Sequence, residues 1–140
     1  MITLRIFTVI LLAAAAQQAG AQDWFTVAGY PEIADSDVIQ ISPALNHWNG
    51  QVTLEVRATR RVERIGYSGT PYRSYSGMAV VDCESAKGWF LTLTYYGNQN
   101  WQGPISKIAS FKPEEAPMAF NDIPGSPALK VIRAACAVAR

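Results

Sequence analysis

The chain has 140 residues, with twelve basic against eleven acidic side chains, one histidine and two cysteines. So even a balance leaves no electrostatic footprint for nucleic acid, and one histidine without a C-x-x-C pair leaves no ligand set for zinc. Neither a glycine-rich phosphate loop nor a calcium-loop pattern is present, so no cofactor is implied.

The first residues, MITLRIFTVILLAAAAQQAGAQ, read as a secretory signal peptide. Arg5 supplies the positive start, Ile6 to Ala16 the apolar core, and Ala19-Gly20-Ala21 a small-x-small cleavage site. Residues 1–21 are expected to be removed, leaving one domain over 22–140 that is long enough to bury a single core. A membrane span needs about 20 apolar residues, and Gln17 and Gln18 cut this run short. The first cysteine is Cys83 rather than the residue after the cleavage site, so the expected product is exported, periplasmic or secreted, without a lipid anchor. In an oxidising compartment two cysteines pair. A Cys83 to Cys136 bond closes a loop of about fifty residues, contributing on the order of 4 kcal/mol.

Trp24 to Ala28 reads as a first strand, closed by Gly29 and Pro31, and Ser36 to Ser42 as a second with Val38, Ile39 and Ile41 as its apolar positions. Asn49-Gly50 is a hairpin turn signal. Gln51 to Ala58 then alternates Val52, Leu54 and Val56 with Thr53, Glu55 and Arg57, as a half-buried antiparallel strand does. Arg57, Arg60, Arg61 and Arg64 follow closely. They read either as a patch for an acidic surface or, more plainly, as an exposed strand edge whose charges discourage edge-to-edge pairing.

Tyr67 to Pro71 is turn material; Tyr72 to Cys83 is a long strand kinked at Gly77, and Gly88 to Tyr96 is its partner. In that partner Trp89, Leu91, Leu93 and Tyr95 are expected to face the core, with Phe90, Thr92, Thr94 and Tyr96 opposite. Gly97 to Gly103 is a polar loop carrying Trp101, Ile105 to Phe111 returns as the last strand, and Lys112-Pro113 ends it. Glu114 to Asn121 shows too little periodicity for an assignment. Ser126 then serves as N-cap with Pro127 at the first helical position. Leu129, Ile132 and Cys136 recur at helical spacing and are expected to face inward, flanked by Ala128 and Ala135. The fold class is α+β: an antiparallel sheet of about six strands with a C-terminal helix packed on it.

Tyr72-Arg73-Ser74, Val80-Val81-Asp82-Cys83, the run Leu91 to Tyr96 ending in paired tyrosines, Pro124-Gly125-Ser126 and Cys136 together resemble the surface-adhesin protein E family. Trp24 and the Asp35 to Ile39 segment resemble its N-terminal half. The resemblance spans nearly all of 22–140. It implies the same sheet, helix and disulfide, and an exported bacterial protein whose founding type sits on the outer surface, can form a homodimer, and binds host plasma and matrix proteins. That type is lipid-anchored, which this sequence does not match. Only Cys83 and Cys136 carry over residue by residue, as structural residues.

An enzyme needs a base, nucleophile or metal. His47 with a serine and Asp35 or Asp37 is a triad only on paper, and neither Asp35/Asp37 nor Glu114/Glu115 has a spacing that implies a glycosidase dyad. A binding module needs an exposed anchor or a free edge. Tyr96 and Trp101, with Asn98 and Asn100 in the loop between them, are the candidate contact residues, since tyrosine and tryptophan carry much interface energy. The plainer alternative has Tyr96 under the helix and Trp101 folded onto the sheet. The expected function is therefore a non-catalytic, protein-binding module for host matrix or bacterial envelope proteins. A periplasmic structural or inhibitor-like protein is the alternative, with a small hydrolase behind it.

Overall fold

A computed structural model describes residues 23–43 and 45–138. The signal-peptide expectation for residues 1–21 lies outside the described residues. The strands are β1 (Phe25–Ala28), β2 (Val38–Ile41), β3 (Asn46–Trp48), β4 (Gln51–Ile65), β5 (Pro71–Asp82), β6 (Lys87–Tyr96) and β7 (Ile105–Ser110), followed by helix α1 (Pro127–Val138). They form one antiparallel sheet in the order β1-β2-β4-β5-β6-β7, with β3 also on β4. The α+β architecture expected from the sequence is the one observed.

Local chemistry accounts for much of this. Asn49 and Gly50 both adopt positive φ, 51° and 77°, which a two-residue hairpin turn between β3 and β4 requires. Along β4 the period of two sends Val52, Leu54, Val56 and Ala58 to one face, each fully buried. They meet Val131, Ile132 and Ala135 of α1 and Ala79, Phe90, Leu93 and Tyr95 of the neighbouring strands in one core. Cys83 at the end of β5 bonds Cys136, with Cα atoms 5.7 Å apart, and ties the helix to the sheet. Pro127 opens α1, and the Ser126 carbonyl accepts the Lys130 N–H at 3.3 Å.

Three expectations are corrected. The arginine run is a strand edge only in part: Arg57 lies on the inner stretch of β4, with β2 on one side through Thr59 and β5 on the other, and beyond Thr59 β4 continues to Ile65 with β5 alone beside it. Its register with β5 breaks after Thr59 and resumes at Arg64, and Arg60 is buried within that break.

The core face of β6 is also reset partway. Met78 pairs with Thr92 but Ala79 pairs with Phe90, so Leu91 is an extra residue. One inserted residue flips the alternation. Phe90 therefore joins Leu93 and Tyr95 in the core, while Leu91 is half-buried and Trp89 is buried apart from the main cluster.

On the helix, Leu129 is 43 % exposed and Val131 is fully buried, so the buried stripe runs through Val131, Ile132 and Ala135. Ala128 and Ala135 are small enough to let the helix sit close on the sheet, which turns Leu129 outward.

The unassigned segment also has a place. Residues 116–118 run along the outer edge of β6, where the Phe90 N–H bonds the Ala116 carbonyl and the Met118 N–H bonds the Gly88 carbonyl, each at 2.9 Å. Ala116, Met118 and Phe120 are buried with the helix in the core. The sheet thus has one covered face and one open face.

Candidate functional site

Because Val56 and Ala58 point to the core, Arg57 between them points to the open face. There it pairs across the sheet with Gln40 of β2 and Ser76 of β5. Its Nε–H donates to Gln40 Oε1 at 2.8 Å, and the Gln40 amide in turn donates to Thr26 Oγ1 at 3.1 Å. The guanidinium carbon lies 4.1 Å from the Trp24 ring centroid and 3.9 Å from that of Trp101. The result is a cation held between two indoles, an electrostatically favourable stack.

Trp101 reaches this position because its loop is clamped. Asn100 and Trp101 both have φ of 57°, a left-handed conformation uncommon outside glycine. Hydrogen bonds from both neighbouring strands hold it. The Ser74 hydroxyl donates to the Asn98 carbonyl at 2.5 Å and accepts the Trp101 N–H at 2.9 Å. Thr59 Oγ1 accepts the Asn100 N–H at 3.0 Å, the Gln99 amide donates to the Arg60 carbonyl at 2.9 Å, and Trp101 Nε1–H donates to the Tyr75 carbonyl at 2.7 Å.

Two clefts meet at the stack, and Arg57 and Trp101 line both. The first, about 540 Å³, lies between the loop of residues 31–36 and residues 99–102. The second, about 390 Å³, adds Trp24, Glu55, Gly77 and Met78. Both fall within the size range of small-molecule or peptide side-chain pockets.

The anticipated contact residues are brought together only in part. Asn98, Asn100 and Trp101 share the clamped loop, and Tyr96, paired with Ser74, is half-buried on the open face and not under α1. Trp101 is half-buried against the sheet, combining the two alternatives. The four arginines do not act as one patch. Arg57 stands in the stack; Arg61 is exposed; Arg64 pairs with Asp122 at 2.7 Å. Arg60 is only 3 % exposed, and its guanidinium bonds Asp37 at 3.0 Å and Asp122.

Charge chemistry separates Arg57 from Arg60. Burial works against the Asp37 carboxylate, but the Arg61 N–H and the Arg60 guanidinium outweigh it and hold the carboxyl below its ordinary value. Burial also works against Arg60, and its bond to Asp37 with the surrounding charges lifts it on balance. Burial pulls Arg57 down, and among the described residues no carboxylate forms an ion pair with it. Arg57 nonetheless stays charged, because a guanidinium does not lose its proton in proteins.

The paper triad is not assembled. His47 pairs with Val52, whereas Asp37 bonds Arg60 and Arg61 eight residues further along β4, roughly 25 Å away at strand spacing. Asp35 lies 3.8 Å from Arg73, and Glu115 accepts the Lys112 N–H at 2.6 Å. Among the described residues no cluster of three metal-ligating side chains occurs, and no helix is long and apolar enough to cross a membrane.

Sequence reasoning missed Trp24, Gln40 and Ser74 as parts of the site. Their signal was present only as strand alternation, which assigns a face but not the partner reached across it. Comparisons of the chain with protein-family models, with characterised proteins and with solved structures find no match.

Proposed function

We propose that the chain is an exported, non-catalytic binding module of the surface-adhesin E type, and that it contacts another protein, of the bacterial envelope or the host matrix, through the open face of its sheet. The observation that carries this reading is the Trp24, Arg57 and Trp101 stack, flanked by two clefts on the face that the helix leaves uncovered. Arginine and tryptophan are the residue types that dominate interface energy. The clamped loop adds to it, because a pre-ordered contact residue loses little entropy on binding. Export is supported by the leader-like first residues and agrees with the Cys83 to Cys136 bond.

The test is a binding screen with the immobilised 22–140 chain against purified matrix, plasma and envelope proteins. The expected result is saturable binding to at least one of them that weakens in Trp101→Ala. Absence of binding to every protein would leave a structural envelope role as the better account.

A further inference from the structure

Arg57 is the charged member of the stack. A guanidinium has five N–H donors in a planar fork, and among the described residues one of them, Nε–H, is taken, by Gln40 Oε1. That bond and the two indoles fix the plane of the group. The buried cation among the described residues, Arg60, is neutralised by Asp37 and Asp122. Arg57 is half-buried with no ion pair among the described residues.

We infer that Arg57 is the anchor for an acidic side chain of the partner, whose carboxylate enters the first cleft and accepts a two-pronged hydrogen bond from the Nη edge of the guanidinium between Trp24 and Trp101. This inference rests on the reading of the open face as the contact surface. Fixed arginine forks bind carboxylates through paired N–H donors, a geometry lysine cannot reproduce. The first cleft suits the anion better than the second. Its acidic residue, Asp35, is 75 % exposed at the rim and 3.8 Å from Arg73, whereas Glu55 lines the second. Because the two clefts share Arg57 and Trp101, a peptide lying across both runs past Arg57 rather than ending there, which commits the carboxylate to a side chain rather than a chain terminus. The tyrosine-lined cavity on the other side of the molecule, about 300 Å³, offers no such group, since the arginine within it is already paired.

The test uses the 22–140 chain labelled with ¹⁵N and three short peptides. One has glutamate at its centre with both ends blocked, one has glutamine in that place, and one is neutral with a free C-terminal carboxylate. The indole N–H signals of Trp24 and Trp101 report binding, with those of Trp48 and Trp89 as internal controls. The glutamate peptide is expected to shift the first pair saturably, at least tenfold more tightly than the other two, with an affinity that falls as salt rises. Arg57→Gln should abolish the shifts. Arg57→Lys, which keeps the charge and the aliphatic stem, should weaken them at least several-fold and serves if Arg57→Gln does not fold.

Equal binding of the glutamine peptide would overturn the inference and leave the binding-module reading standing. Equal or tighter binding of the free C-terminus would overturn the side-chain assignment. Binding that ignores both Arg57 variants, or no binding of any peptide, would overturn the inference as well, while the protein screen judges the module reading separately.

Discussion

The Trp101 ring centroid lies 3.9 Å from the Arg57 guanidinium carbon, and the same indole donates its N–H to the Tyr75 carbonyl at 2.7 Å. One residue of a polar loop is thus bound to β4 through its π face and to β5 through its edge. A double-mutant cycle of Arg57→Gln and Trp101→Leu, read by urea unfolding, is expected to give a coupling of about 1 kcal/mol. A coupling near zero would mean that the stack adds nothing to stability.

Asp37 ties the loop before β2 to Arg60 inside the sheet, and its carboxyl is held below the ordinary value. The folded chain therefore releases this proton more readily than the unfolded one. The stability it contributes is complete above the unfolded carboxylate value, about 4, and is lost as pH falls through the lower folded value. Asp37→Asn is expected to cost about 2 kcal/mol at neutral pH, less than a fully broken buried pair because Asp122 remains on Arg60. Unfolding of both proteins across the acid range should show the gap closing below about pH 4. A gap undiminished at about pH 2 would contradict this role.

The Cys83 to Cys136 bond spans 53 positions and fastens α1 over the core. Thiol titration of the unfolded, unreduced protein should find no free thiol. Reduction should lower stability by up to about 4 kcal/mol, and it should loosen α1 first in hydrogen exchange. Protection of the helix amides that is unchanged after reduction would count against the staple.

Gly77 sits beside the β6 bulge, where a Cβ would lie 2.0 Å from the Thr92 carbonyl oxygen. Strand backbones this close leave room only for glycine. Gly77→Ala is expected to lose about 2 kcal/mol or more, in line with overpacking of a rigid site, and to shift the amide signals of Thr92 and Leu93. A stability change within about 0.5 kcal/mol, the range of an ordinary surface substitution, would show that the strands part without cost.

Period-two patterning made most of the sheet legible, because each side-chain face of β4 follows directly from the sequence. It failed where one residue is inserted: nothing in the Phe90-Leu91-Thr92 run marks the bulge, which depends on how β5 approaches at Gly77. The short pairing of residues 116–118 with β6 was hidden by Pro117 and by the shortness of the run. On α1, three- and four-residue spacing fits stripes one position apart, and only the packing against the sheet chooses between them. The candidate site was legible as a set of residue types. Trp101 and Arg57 were each singled out, but their contact joins a loop to a distant strand, and the clamp by Ser74 and Thr59 that creates it leaves no local trace.

The central claim, that the open face is the contact surface, is tested most directly by comparing Trp101→Ala with two exposed residues elsewhere, Trp48→Ala at the β3 end and Leu129→Ala on α1. Trp48 is 83 % exposed and Leu129 43 %, so neither change should disturb the fold. Trp101→Ala should lower stability by about 1 to 2 kcal/mol, short of the roughly 3 to 5 kcal/mol that removal of a fully buried tryptophan costs. Each variant is measured against the protein that the screen identifies. Trp101→Ala is predicted to weaken that binding about thirtyfold, or about 2 kcal/mol, while Trp48→Ala and Leu129→Ala leave it within about twofold. Undiminished binding by folded Trp101→Ala, with a large loss in either of the other two, would contradict the account.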